Sequence, residues 1–349
     1  MTNKSIILNQ VRRFSKSCVM LLFIGCTAGM NMIASANDSE DDNSCDKILP
    51  TITSGYGADG PYAMESESLR NPEFRRKSVR VFMPKGGEGK RPVIFFSHGY
   101  GPNRWENYTN LFEHLVSRGY IVIYSTYPAL FANNAERYKA LWAGFKAATE
   151  KFNDRMDLSR VGFLGHSFGG GATPAMAYLG FVKNGWGKVG GFMMEMAPWY
   201  IFDMSPKRWR QIPDNIVQVV QVYDKDDVND HRMAIAIFKH SLMKRKYYFL
   251  LRSQKVDGCS IIADHTTPSR TEFLRLQRYG LFKPLDALAD CTFNHAETAC
   301  TALAAMGKQQ NSSGYHPLIA IKQPNPAEPE SFYKFSWNND ENPQRSTNW

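Results

Sequence analysis

From about residue 75 onward the chain alternates apolar runs with amphipathic stretches. Ser78-Val79-Arg80-Val81-Phe82-Met83 has a two-residue period, which predicts a half-exposed strand. Val93-Ile94-Phe95-Phe96 and Tyr120-Ile121-Val122-Ile123-Tyr124 are unbroken apolar runs, the pattern of strands covered on both faces. Between them, residues 107–117 predict a helix. Residues 134–152 predict a second, with Leu141, Phe145 and Ala148 on one stripe. Arg160-Val161-Gly162-Phe163-Leu164 reads as a short buried strand, and the small-residue run after Ser167 as a packed helix reaching about Lys183. Further strands are expected at 189–194, 216–223 and 247–251, with helices near 230–243 and 269–279. Strands and helices in this rhythm predict an α/β fold, a mostly parallel central sheet with helices on both faces.

The two ends read differently. Residues 37–60 are acidic, then Gly- and Ser-containing, and predict an extended or disordered lead-in. Beyond Phe282 a short helix near 297–306 is followed by a Pro-, Asn- and Gly-rich stretch to Trp349. Its tryptophans and a cysteine pair predict a C-terminal extension packed on the main domain. The expected divisions are 1–36 leader, 37–74 N-terminal segment, 75–282 α/β domain and 283–349 extension.

The first 36 residues hold Lys4, Arg12, Arg13 and Lys16 and no acidic residue. The apolar run Cys18–Gly25 is too short to span a bilayer, and Ala34-Ser35-Ala36 has the small-x-small form of a cleavage site. The segment therefore reads as a secretory signal peptide, and the protein as exported to the periplasm or beyond. A competing reading makes Ile24-Gly25-Cys26 a lipoprotein processing site with Cys26 lipidated; Phe23 is a poor first residue for that motif. Loss of the leader lowers the formal charge from +9 to +5. No basic run is interleaved with aromatics, so nucleic-acid binding is not indicated; weak attraction to anionic envelope surfaces is the most this charge suggests. Cys45, Cys259, Cys291 and Cys300 remain, an even number that predicts two disulfides in an exported chain. Cys291 with Cys300 is the natural local pair, which leaves Cys45 with Cys259; other connectivities stay open. No cysteine spacing suits structural zinc, and the cluster Asp224, Asp226, Asp227, Asp230 lacks the glycine and distal glutamate of a calcium loop.

The chemistry centres on Gly165-His166-Ser167-Phe168-Gly169, between the buried strand and the small-residue helix. A strand turning abruptly into a helix holds the serine in strained backbone and aims its hydroxyl outward, and only small neighbours let the two backbones approach. Such a nucleophile needs a base and a carboxylate to orient it. Asp226 follows the 216–223 strand, and His265 lies in a loop after the 247–251 strand. Rivals for the base are His231 and His295, with His98 a weaker one; rivals for the acid are Asp224, Asp227 and, more distantly, Glu195. An oxyanion hole is expected from the amides of Phe168 and of Tyr100, in Ser97-His98-Gly99-Tyr100-Gly101 after the 93–96 strand.

These segments, with Asp157-Leu158-Ser159-Arg160, resemble the α/β-hydrolase superfamily over roughly residues 75–282, and within it the secreted esterases: cutinase-type polyester hydrolases, dienelactone hydrolases and platelet-activating-factor acetylhydrolases. The resemblance implies an α/β-hydrolase fold and the chain order serine, acid, histidine met by Ser167, Asp226 and His265. Met196-Ala197-Pro198-Trp199 is similar to a segment in which polyester hydrolases place a substrate-facing tryptophan; Trp199 and Met196 are thus candidate substrate contacts, with packing an equal alternative for Trp199. The loop 253–264 and the C-terminal extension depart from those enzymes. The expected activity is hydrolysis of small or lipid-like carboxylic esters with no metal or organic cofactor. Lipase, thioesterase and peptidase activity on the same triad, and a non-catalytic binding scaffold, are the alternatives.

Overall fold

The computed structural model describes residues 45–86, 88–101, 104–308 and 317–344. The proposed leader, Cys26 and the acidic residues up to 44 lie outside the described residues.

Eleven strands are present among the described residues: β1 Met64–Arg70, β2 Ser78–Pro84, β3 Arg91–Ser97, β4 Ile121–Ser125, β5 Met156–His166, β6 Gly190–Met196, β7 Ile216–Tyr223, β8 Arg245–Leu251, β9 Gln254–Val256, β10 Cys259–Ile261 and β11 Leu318–Ala320. The main helices are α1 Thr109–Ser117, α2 Asn134–Lys151, α3 Phe168–Ala177, α4 His231–His240, α5 Lys283–Phe293 and α6 Glu297–Ala305. Nine strands form one sheet in the order β1-β2-β4-β3-β5-β6-β7-β8-β11. The run from β4 to β8 is parallel, while β1, β2 and β11 pair antiparallel at the edges. β9 and β10 form a separate hairpin.

Alternation within β3 shows how the sheet is buried. Val93 and Phe95 enter the core beneath α2, α3 and α4, whereas Ile94 and Phe96 enter the core beneath α1, α5 and α6. That two-sided cover explains the unbroken apolar runs of β3, β4 and β7. β2 was expected to be half exposed, but Val81–Pro84 are buried, because Trp105 and Phe112 pack on Phe82. α2 begins with a reciprocal cap in which the Asn133 side chain accepts from the Glu136 amide and the Glu136 carboxylate accepts from the Asn133 amide.

Three features go beyond the sequence reading. Residues 45–60 are docked: the Asp46 carboxylate accepts from the Arg275 and Leu276 amides at 2.9 and 3.0 Å, and Asp286 accepts from the Gly57 amide at 2.8 Å. Residues 270–273 are not helical; helix begins again at Leu274 and continues through 278–282 into α5, so the boundary expected at 282 falls inside helical chain. α5 buries Leu285, Leu288 and Ala289 in the core shared with β6 and β7. Lastly, β11 adds an unforeseen edge strand against β8. Both expected cysteine pairs are present, Cys45–Cys259 with Cα atoms 5.3 Å apart and Cys291–Cys300 at 4.6 Å, a feature typical of exported proteins. No helix among the described residues is long and apolar enough to cross a membrane.

Candidate active site

Ser167 stands between β5 and α3 with φ 56° and ψ −120°, a conformation costly for a residue bearing a Cβ. The glycines around it are sterically required. A Cβ on Gly165 would collide with the Gly169 carbonyl, and one on Gly169 with the carbonyls of Ser97 and His98. One on Gly171 would strike the carbonyls of Trp199 and Tyr200. The elbow is pinned to β6 as well, since the Ser167 amide donates to the Met196 carbonyl and its carbonyl accepts from the Trp199 amide, both at 2.9 Å.

His265 arrives from the far side of the sheet, beyond the β9–β10 hairpin that Cys45 ties down through Cys259. Its Nε2 lies 2.9 Å from Ser167 Oγ and its Nδ1 2.9 Å from Asp226 Oδ2. The carboxylate fixes the tautomer: Nδ1–H donates to Asp226, leaving Nε2 to accept the serine proton. Asp226 is 1% exposed, and its other oxygen accepts from the Val228 and Asn229 amides at 2.8 and 3.1 Å. The C-terminal extension braces this loop, for Lys334 and Phe335 donate their amides to the Asp227 and Val228 carbonyls at 2.8 Å.

The rival residues occupy other positions. Asp224 accepts from the Ser253 amide and hydroxyl, Asp227 pairs with Lys334, and Asp230 caps α4 and pairs with Arg232. His231 is buried with Nε2 donating to the Tyr223 carbonyl, and His295 is an exposed turn residue. Glu195 is wholly buried, hydrogen-bonded to Gln218, and burial pushes its pKa up to about 8. His98 is buried, donates Nδ1–H to the Gly99 carbonyl at 2.7 Å and stacks on Tyr127; desolvation holds its pKa down to about 4.

Two residues that sequence reading assigned no role join the site together. Tyr108 Oη accepts from the Gly99 amide at 3.1 Å and donates to His166 Nδ1 at 2.9 Å. His166 Nε2–H in turn donates to the His265 carbonyl at 2.8 Å. The His166 ring is neutral, its pKa lowered to about 3 chiefly by burial. One chain of hydrogen bonds thus runs from the oxyanion loop through the elbow to the histidine loop. His166 lies within the motif, but Tyr108, in a 3-10 turn before α1, gives no sequence signal.

The Gly99 amide is engaged by Tyr108 and so is not available to a substrate oxygen. A cleft of about 160 Å³ opens over the triad, lined by Gly99, Tyr100, Tyr108, His166, Ser167 and His265 among others. Met196 is fully buried and Trp199 packs on Phe168, Tyr200, Phe202 and Phe335; neither lines this cleft. Both pack beside the elbow, Trp199 on the Phe168 ring and Met196 through its carbonyl to the Ser167 amide.

A family model described as Chlorophyllase matches residues 56–185, a stretch that includes the 97–101 loop and the elbow and ends before Asp226 and His265. No curated protein matches the chain. The matched family is an esterase family of the α/β-hydrolase type. The match covers residues 56–185 of the 349, and together with the mostly parallel sheet flanked by helices it fits an α/β-hydrolase superfamily member.

Proposed function

We propose that the protein is an exported serine hydrolase that cleaves carboxylic esters through an acyl-serine intermediate. The observation that carries this reading is the unbroken contact from Ser167 Oγ through His265 to Asp226, with both links at 2.9 Å. His265 Nε2 takes the serine proton as Oγ attacks the ester carbonyl. The imidazolium that forms faces the Asp226 carboxylate, which is held by two backbone amides. The oxyanion is received by the Tyr100 and Phe168 amides at the N-terminus of α3, where the helix dipole adds positive potential. The alkoxide then leaves with the proton from His265, and water repeats the sequence on the acyl-enzyme. Nucleophile, base and oxyanion donors are all protein groups, so the cycle calls for no cofactor.

Esters are favoured over the other acyl substrates of the triad by the match to an esterase family. Between Trp199 and Pro213 the chain forms only the one-turn helix Pro206–Trp209, which gives no large lid and suits accessible esters over long triglycerides. Ser167→Ala is expected to lower turnover of a short-chain 4-nitrophenyl ester by about 10⁴-fold or more, with an unchanged circular dichroism spectrum. A fluorophosphonate probe should label Ser167 and no other residue in the wild type. Unchanged turnover in the variant, or an unlabelled serine, would remove the proposal.

A further inference from the structure

The catalytic cleft continues into a second and larger cavity of about 480 Å³, and the two share Arg104, Asn107 and Tyr124 in their walls. Three cations, Lys77, Arg80 and Arg104, border the larger cavity, and Glu106 is the one acid in its lining among the described residues. None of the three cations has a carboxylate partner among the described residues, whereas Lys139, Lys151, Arg155 and Arg160 all do. Unpaired cations gathered around a concavity beside a reaction centre are costly as pure structure, because their mutual repulsion is offset only by solvent.

The placement of these groups is ordered by the sheet. Arg80 on β2 is the direct antiparallel partner of Tyr124 on β4, so both side chains leave the sheet on the same face. The Arg80 guanidinium lies over the Trp105 ring, 5.5 Å from its centroid, a contact that holds it without neutralising it. Tyr124 is 1% exposed, lines both cavities, and its hydroxyl has no hydrogen-bond partner. A buried hydroxyl without an acceptor forfeits free energy unless a ligand supplies one. Burial also raises the Tyr124 pKa well above the usual tyrosine range, so the group remains a donor.

We propose that this cavity is an anion subsite, and that the natural ester carries a carboxylate or phosphate which Arg80, Lys77, Arg104 and the Tyr124 hydroxyl receive while its carbonyl lies at Ser167. This deepens the hydrolase reading and rests on it. The unpaired Tyr124 hydroxyl and the excess of cations are then two parts of one recognition device. A neutral ester is then the poorer substrate.

The test compares 4-nitrophenyl hydrogen adipate with its neutral methyl ester, and 4-nitrophenyl 6-phosphonooxyhexanoate with its dimethyl phosphate triester. The wild type is expected to prefer each anionic ester by about tenfold in kcat/KM, the worth of one charge-assisted hydrogen bond, and to lose part of that preference in high salt. Arg80→Gln should bring the ratio towards one, and Tyr124→Phe, which removes no charge, should lower it about threefold. The larger of the two ratios identifies the anion. Equal turnover of each pair by the wild type, or a ratio unchanged in Arg80→Gln, would overturn the proposal. Calorimetric titration of the wild type with adipate and with hexyl phosphate separates it from the hydrolase reading. Binding that weakens at least fivefold in Arg80→Gln supports the subsite even if no ester is cleaved, and absence of binding rejects it even if neutral esters are cleaved.

Discussion

The two halves of the site are held in place by different means. The serine side is built from backbones in contact: β5, α3 and the 97–101 loop approach so closely that Gly165, Gly169 and Gly171 have no room for a methyl group. The histidine side is built from side chains reaching across long sequence distances. His265 is held through Asp226, the His166 bond to its carbonyl and the disulfide from Cys45, with the C-terminal extension bracing the acid loop. Close backbone packing tolerates no substitution, because main chain cannot move aside as a side chain does. A set of separate ties loses function in steps. The serine half should therefore fail all at once and the histidine half by degrees.

Gly169→Ala is the sharpest break on the serine side. The new Cβ would overlap the Ser97 and His98 carbonyls, which are backbone and cannot swing away. Either the elbow or the 97–101 loop must shift, and a displacement near 1 Å costs about a hundredfold or more in rate. Ester turnover and thermal unfolding of the purified variant measure it; an active, equally stable variant would show that the packing has slack. Tyr108→Phe acts where the two halves meet. It leaves the Gly99 amide and His166 Nδ1 without their partner while keeping the ring on Phe96. The expected result is about a tenfold fall in kcat, from one lost hydrogen bond that orients others, with little change in KM. A change in KM alone would place Tyr108 in substrate binding instead.

The paired substitution Cys45→Ser with Cys259→Ser loosens only the histidine side. Its loop spans 214 residues in sequence, and chain entropy puts the largest loss of stability at about 5 kcal/mol. Turnover well below the melting temperature should fall only a few-fold, because Asp226 and His166 still hold the ring. A loss as deep as that of Gly169→Ala would erase the contrast between the halves.

The same contrast decides what could be read from sequence. β3, β4 and β7 are legible because cover on both faces demands continuous apolar residues, and the elbow because its glycines answer a local steric demand. The order of Ser167, Asp226 and His265 along the strands follows from topology and was equally open to reading. Docking of residues 45–60 was hidden, since Asp46 caps amides at Arg275 and Leu276 that no local pattern links to it. The strand expected at 160–164 extends back to Met156 in β5, across an irregularity where the pairing with β3 shifts between Pro92 and Val93. Tertiary partners, invisible in a window of residues, account for each of these.

Glu195 supplies the finest test, a change on the serine side that should spare the reaction. It is the register partner of Gly165 on β6, lies outside the cleft lining, and one of its carboxyl oxygens has no partner. Burial raises its pKa from 4.5 to about 8, so the folded protein keeps a proton that the unfolded chain releases. Its contribution therefore declines as pH rises from about 4.5 to about 8. His98 and His166 act in the opposite sense. Their folded pKa values of about 4 and about 3 lie below the unfolded 6.5, so their contribution is present above 6.5 and is lost as pH falls towards 4 and 3. Together the three groups place greatest stability near pH 6.5. Above it Glu195 contributes a decline on the order of 1.4 kcal/mol per pH unit, about 2 kcal/mol by pH 8. His114, whose pKa the Asp286 and Asp59 carboxylates raise against its burial, adds a decline of the same sign. Glu195→Gln should remove the Glu195 share, about 2 kcal/mol, of that alkaline decline in urea unfolding between pH 6.5 and 8 while kcat/KM stays unchanged. If the decline is undiminished, the carboxyl enters the fold ionised; if activity falls with it, the elbow depends on β6 side chains as well as on backbone packing.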